Sequence, residues 1–206
     1  MKPDEIEKTS FTIIRNEMSP HSFSAQELPI IQRVIHATAD FDYQRLMRFS
    51  PAAIHNALFA IRSGTSVFSD VQMIAAGVSN RLISAFGTQV ECFVNDPKVV
   101  KAAISERKTR SELAMRAIGK RLAGSIVLIG NAPTALFEVV RLYQQEGIRP
   151  AFIVGVPVGF VNAVESKAAL METNLDYISV EGRKGGSTVA VAIMNALLRL
   201  ASEADA

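Results

Sequence analysis

From Ser66 onward, short apolar runs alternate with longer stretches of helical period. The runs Ser66–Ser69, Val90–Val94, Ile126–Ile129, Phe152–Gly155 and Tyr177–Val180 read as strands, each closed by Gly, Pro, Asn or Asp turn signals. Helical spacing places helices near Asp70–Ser79, Pro97–Ser105, Arg110–Leu122, Pro133–Gln145, Asn162–Glu172 and Gly186–Ala201. Strands that alternate with helices imply right-handed βαβ units and a parallel sheet covered on both faces. The expected fold is an α/β, doubly wound, five-stranded parallel sheet with flavodoxin-like strand order. The first 65 residues differ. Ile6, Ser10, Ile13, Ile14 and Met18 recur at helical spacing, and Ala25–Ala39 and Pro51–Arg62 also read as helices. No Gly/Ser-rich linker separates them from the rest, so residues 1–206 are expected to form one domain, with 1–65 a helical N-terminal layer and 66–206 the parallel core.

Composition narrows the class. The chain has 206 residues, 49% of them hydrophobic, which suits a globular core. Its 22 basic and 20 acidic side chains nearly cancel, which argues against a nucleic-acid surface while leaving room for a local basic pocket. Cys92 is the only cysteine, so no intrachain disulfide forms and a reducing cytoplasm fits. The first residues carry no apolar signal core. The longest uncharged stretches, Ser125–Phe137 and Ala151–Val164, fall short of the ~20 residues that span a bilayer. A soluble cytoplasmic protein with no membrane partner is expected.

The strand exits hold the candidate chemistry. They are Asp70, Asn95-Asp96-Pro97, Gly130-Asn131-Ala132-Pro133, Gly155-Val156-Pro157-Val158-Gly159 and Glu181-Gly182-Arg183-Lys184-Gly185-Gly186-Ser187. Parallel strands put all five on one edge, where open α/β sheets bind ligands. Pro133 suits the first turn of a helix whose N–H groups favour an anion. Neither a dinucleotide fingerprint nor a phosphate loop is present. The Gly182–Ser187 segment still joins two cations to glycines and a helix start, which suits a carboxylate or phosphate, or makes a solvated basic turn. No Cys/His cluster has metal-ligand spacing, and no nucleophile elbow occurs.

Single residues carry less. His36 shares a helix side with Gln32, Arg33 and Asp40, so it reads either as a solvated surface residue or as a proton donor at a cleft edge. Arg110 follows Thr109 in a Thr109-x-x-Glu112 capping box, a helix-start position where a cation is mildly unfavourable and an anionic partner would explain it. Ser10 lies between Ile6 and Ile14 and is half-buried by pattern.

Ser10-Phe-Thr-Ile-Ile-Arg15, Arg33-Val-Ile-His36, Asp70–Gly77, Thr109-Arg110-Ser111, Ala123–Phe137, Gly155–Lys167 and Gly182–Ser187 carry a resemblance over nearly the whole chain. The strings G-N-A-P-T-A-L-F and P-V-G-F-V-x-A-x-E-S-K are its most specific parts. The sequence is similar to the precorrin-8X and cobalt-precorrin-8 methylmutases. The resemblance implies an isomerase of cobalamin biosynthesis that moves a methyl group from C-11 to C-12 of a contracted tetrapyrrole, without organic cofactor or catalytic metal. It implies His36 as the proton donor and Ser10 and Arg33 as substrate contacts, with Arg110 carried over beside them. Asn131, Gly185, Gly186 and Ser187 are expected to meet substrate carboxylates, partly through the N–H groups of their turns. A homodimer with the ligand near the subunit interface is implied as well. The rival readings are a tetrapyrrole carrier that binds without turnover, and a receiver module, which lacks its aspartate because Asn131 follows the third strand.

Overall fold

The structure, a computed structural model, describes residues 2–203; Met1 and residues 204–206 of the expected domain lie outside the described residues. The chain opens with α1 (Pro3–Glu17), α2 (Glu27–Thr38) and the one-turn α3 (Tyr43–Leu46), then β1 (Met47–Phe49) and α4 (Ala53–Arg62). There follow β2 (Val67–Ser69), α5 (Gln72–Gly77), α6 (Asn80–Ile83), β3 (Val90–Glu91), α7 (Pro97–Glu106) and α8 (Arg110–Ile118). The last third is β4 (Ile126–Ile129), α9 (Pro133–Glu146), β5 (Phe152–Gly155), α10 (Ala163–Met171), β6 (Tyr177–Val180) and α11 (Ser187–Glu203).

The sheet corrects the five-stranded expectation. Among the described residues it has six strands in the order β1-β6-β5-β4-β2-β3, and it is mixed. β2 to β6 are parallel, whereas β1 pairs antiparallel with β6, Met47 opposite Val180 and Phe49 opposite Ile178. Three residues with a charge at the centre give no readable alternation, so β1 has no local signature. Its Arg48 Nη2 donates to Glu181 Oε2 at 2.6 Å, which places a charged pair along this edge of the sheet.

Alternation along the buried strands builds two cores. Ile126 and Leu128 of β4 join the layer made by α2, α4 and α11, while Val127 and Ile129 join the layer made by α8, α9 and α10. Ile14, Ile31, Ile35, Ala57 and Ile61 belong to the first layer, so the N-terminal helices pack on the same sheet face as α11. The apolar stripe read along α1 is only partly used. Ile14 is buried, but Ile6 and Ile13 remain half exposed. No helix among the described residues is long and apolar enough to cross a membrane.

Candidate active site

α2 turns Ile31, Val34 and Ile35 into the core, which leaves Arg33 and His36 one turn apart on its outer side. Gln32, expected beside them, is instead buried beneath Met18, its amide 3.9 Å from the Met18 sulfur. α1 lies across the outer side of α2. Phe11 stacks its ring on the His36 imidazole, with centroids 5.1 Å apart and planes 9° from parallel. The Arg33 guanidinium carbon stands 4.5 Å from the centroid of the same Phe11 ring. Arg33 also pairs with Glu7 at 2.7 Å, and its hydrogen bond holds the Glu7 carboxyl below the usual range. Ser10 is half-buried next to Phe11 on α1.

The exit of β6 reaches the end of the same helix. Lys184 Nζ bonds Asp40 and, at 2.7 Å, Asp42, just past the left-handed cap Ala39 that ends α2. These hydrogen bonds raise the Lys184 ammonium and lower the Asp42 carboxyl. From beneath, the fully buried Lys167 donates to the Lys184 carbonyl at 2.7 Å, and burial pushes its ammonium down to about 8. Gly186 N–H donates to Val156 O at 2.8 Å. The Gly182–Ser187 segment is therefore clasped by α10, by the β5 exit and by the end of α2.

The turn between β4 and α9 corrects one expectation. Asp70, fully buried at the end of β2, accepts from the N–H groups of Gly130 at 3.2 Å, Asn131 at 2.9 Å and Ala132 at 2.7 Å. Burial pushes its carboxyl up, while these three donors favour the charged form. The anion that the turn invites is thus a side chain of the protein, and the Asn131 N–H cannot be given to a ligand. The Gly186 N–H is likewise taken. What Asn131 offers outward is its exposed side chain.

Arg110 opens α8 as the spacing implied. Thr109 Oγ1 accepts from the Glu112 N–H at 3.2 Å, but the Glu112 carboxylate turns to Lys108 and Arg116 rather than closing the capping box. Arg110 is exposed and donates to Asn95 Oδ1 at 3.1 Å, and Thr109 bonds Thr134 of α9 at 2.6 Å. It therefore belongs to the β3–β4 part of the rim.

The two parts meet through backbone. A Cβ on Gly130 would lie 2.8 Å from Ser187 Cα and 2.9 Å from the Gly186 oxygen, so the β4 and β6 exits are in direct contact. Arg33 and His36 thus stand together against α1, the helix that also carries Ser10, and are joined through Asp40 and Lys184 to Gly185–Ser187, with Asn131 beyond and Arg110 farthest along. Four contributors were not singled out from sequence for these roles: Phe11, Glu7, Asp70 as an internal anion, and Lys184. Each acts across the fold, where no local spacing announces it. Among the described residues no cluster of three or more His, Cys, Asp or Glu side chains could hold a metal ion.

The comparisons with known proteins agree among themselves. Residues 5–200 match the family model described as precorrin-8X methylmutase. A cobalt-precorrin-8 methylmutase of Leptospira interrogans is 46% identical over 96% of this chain and 94% of its own length. A precorrin-8X methylmutase of a Sinorhizobium species is 39% identical over 94% of this chain and 93% of its own. A crystal structure of precorrin-8x methyl mutase from Thermus thermophilus superposes with a TM-score of 0.90 at 43% identity, covering 98% of this chain and 99% of that one.

Proposed function

The chain belongs to the precorrin-8X methylmutase family and is an isomerase of cobalamin biosynthesis, and we propose that its methyl shift is run on the outer side of α2. The substrate is precorrin-8X or its cobalt form, and the methyl group moves from C-11 to C-12 within one molecule. Cobalt, where present, is part of the substrate. His36 protonates the macrocycle, which withdraws electron density from the ring and lowers the barrier to migration. Arg33 and Ser10 hold the substrate beside it, and the Asn131 side chain, Gly185, Ser187 and Arg110 receive its peripheral carboxylates along the rim, with Gly186 lining it while its N–H stays on Val156.

The observation that carries this reading is the Arg33–Phe11–His36 stack. It sets an aromatic ring, an anion receptor and a proton donor side by side across α1 and α2, which is what a polycarboxylate macrocycle needs in order to be held and protonated. The order β3-β2-β4-β5-β6 of the parallel strands is flavodoxin-like on this reading, with the ligand at their carboxyl edge. The chain acts as one domain and as a cytoplasmic homodimer; the 85% and 77% exposure of Phe160 and Val161 beside Arg183 supports a partner covering this end of the rim.

The test is the absorbance of the macrocycle, since migration changes its conjugation. His36→Asn keeps polarity and approximate size but cannot carry the proton, so it should bind the substrate and leave its spectrum unchanged. The rate should fall by about 10²–10⁴-fold, the usual worth of one positioned acid. His21→Asn and His55→Asn should stay within a few-fold of the parent. Near-parental conversion by His36→Asn would assign the acid elsewhere, and binding without conversion by the unaltered protein would favour the carrier.

A further inference from the structure

Beside the stack, α1, α2 and α11 enclose an open cleft of about 510 Å³. Lys8, Arg15, Arg33 and Arg199 line it, with Phe11 as its apolar wall. Glu7 is the one carboxylate in the lining; it bonds Arg33 at 2.7 Å and stands 3.9 Å from Arg199. Four cations against one anion leave an excess of three, more than the net charge of +2 carried by the whole chain. Three separate helices bring these cations together. Like charges gathered this way repel one another, and an arriving anion removes that cost.

We propose that this cleft is a second carboxylate-receiving subsite for the tetrapyrrole, in which Arg15 and Arg199 act as specificity-determining residues. The proposal rests on the methylmutase reading given above and adds residues outside the rim to it. Phe11 is the shared wall, since its ring touches His36 and Arg33 and also borders the cleft. A macrocycle lying near His36 would therefore extend acidic side chains both toward the Gly185–Ser187 rim and toward Arg15 and Arg199. Glu7 holds Arg33 in place while the cleft is empty and shares it when a substrate carboxylate enters.

Steady-state kinetics of Arg15→Gln, Arg199→Gln and the double variant test this, at low and high salt. Each single change should raise KM by about threefold and the pair by about tenfold or more, with kcat within about twofold, the scale of partly exposed charge-assisted contacts. The double variant should also lose much of the salt dependence of KM. Arg121→Gln, whose partner Glu91 lies in β3 on the other edge of the sheet, should change neither constant. An unchanged KM in a folded double variant overturns the proposal. Calorimetric titration with benzene-1,2,4,5-tetracarboxylate separates this from failure of the methylmutase reading, because it needs no turnover. Saturable binding that the double variant loses supports the cleft whatever the enzyme converts; equal binding by both proteins, or none by the unaltered one at millimolar concentration, overturns it.

Discussion

Phe11 lies flat against His36, ring on ring, with planes only 9° apart, although the two residues sit on different helices. An imidazole at an exposed helix position ordinarily samples several rotamers. The stack removes that freedom and fixes which face of the ring the solvent side sees. Phe11 is then a positioning residue for the proposed acid. Phe11→Leu should lower kcat by about threefold to tenfold, the cost of losing an aromatic contact of roughly 0.5–1.5 kcal/mol. Phe11→Tyr should restore it, because the ring is retained. A thermal midpoint equal to the parent's in Phe11→Leu, measured with the kinetics, excludes a folding defect as the cause.

Asp70 should be a large stability determinant. Its carboxylate serves three N–H groups in a buried turn. Asp70→Ala leaves those donors unpaired and should cost about 3 kcal/mol or more by denaturant unfolding. Asp70→Asn should recover only part, since the amide presents N–H to a site built from N–H. Acetate or formate should stabilise Asp70→Ala selectively by refilling the anion position. A parental unfolding midpoint in Asp70→Ala would remove this account of the β4–α9 turn.

Glu138 sets an acid limit. Burial pushes its carboxyl up, but hydrogen bonds from Arg141 and Arg116 outweigh that and carry it down to about 2, against 4.5 for the free side chain. A carboxyl lowered on folding stabilises the native state above its unfolded value. That contribution is fully present above pH 4.5 and is lost as pH falls toward 2. Both arginines are about a third exposed, so the contribution is discounted to about 1–2 kcal/mol. Glu138→Gln should be less stable by about that amount at neutral pH and should show a flatter stability curve between pH 4.5 and 2. Identical acid limbs for the two proteins would count against it.

β2, β4, β5 and β6 were legible because each is a short apolar run between turn residues, and burial leaves that run uninterrupted by charge, whereas the half-buried β3 keeps only Val90–Glu91 of the run read from Val90 to Val94. β1 was not, because Met47-Arg48-Phe49 takes its strand identity from β6 and from the Arg48–Glu181 pair. The candidate site divides in the same way. The strand exits, and with them Arg110 at a helix start, follow from local rules. That Asp70 fills the anion site sixty residues along the chain, or that Phe11 seeks out His36, depends on how layers pack, and neither spacing nor composition encodes it.

Two glycines of one loop separate backbone need from loop tolerance. Gly185 has φ 150°, and a Cβ there would sit 2.2 Å from the Val156 oxygen, the carbonyl that also accepts the Gly186 N–H. That approach is too short for any atom, and the oxygen is backbone of the β5 exit, held at the Val156 N–H by Ile129. Gly185→Ala must therefore push the loop outward, break the Gly186 bond and shift Lys184 away from Asp40. Gly182 has φ 74° but nothing within 4 Å of its added Cβ. Gly182→Ala meets only the left-handed backbone cost of about 1–2 kcal/mol. Gly185→Ala should lose about 3 kcal/mol or more and should weaken substrate binding as well, since the loop it displaces borders the proposed site. Differential scanning calorimetry and product titration on the two variants read these effects separately. Equal losses from Gly182→Ala and Gly185→Ala would show that the clasp on this loop does not govern its position.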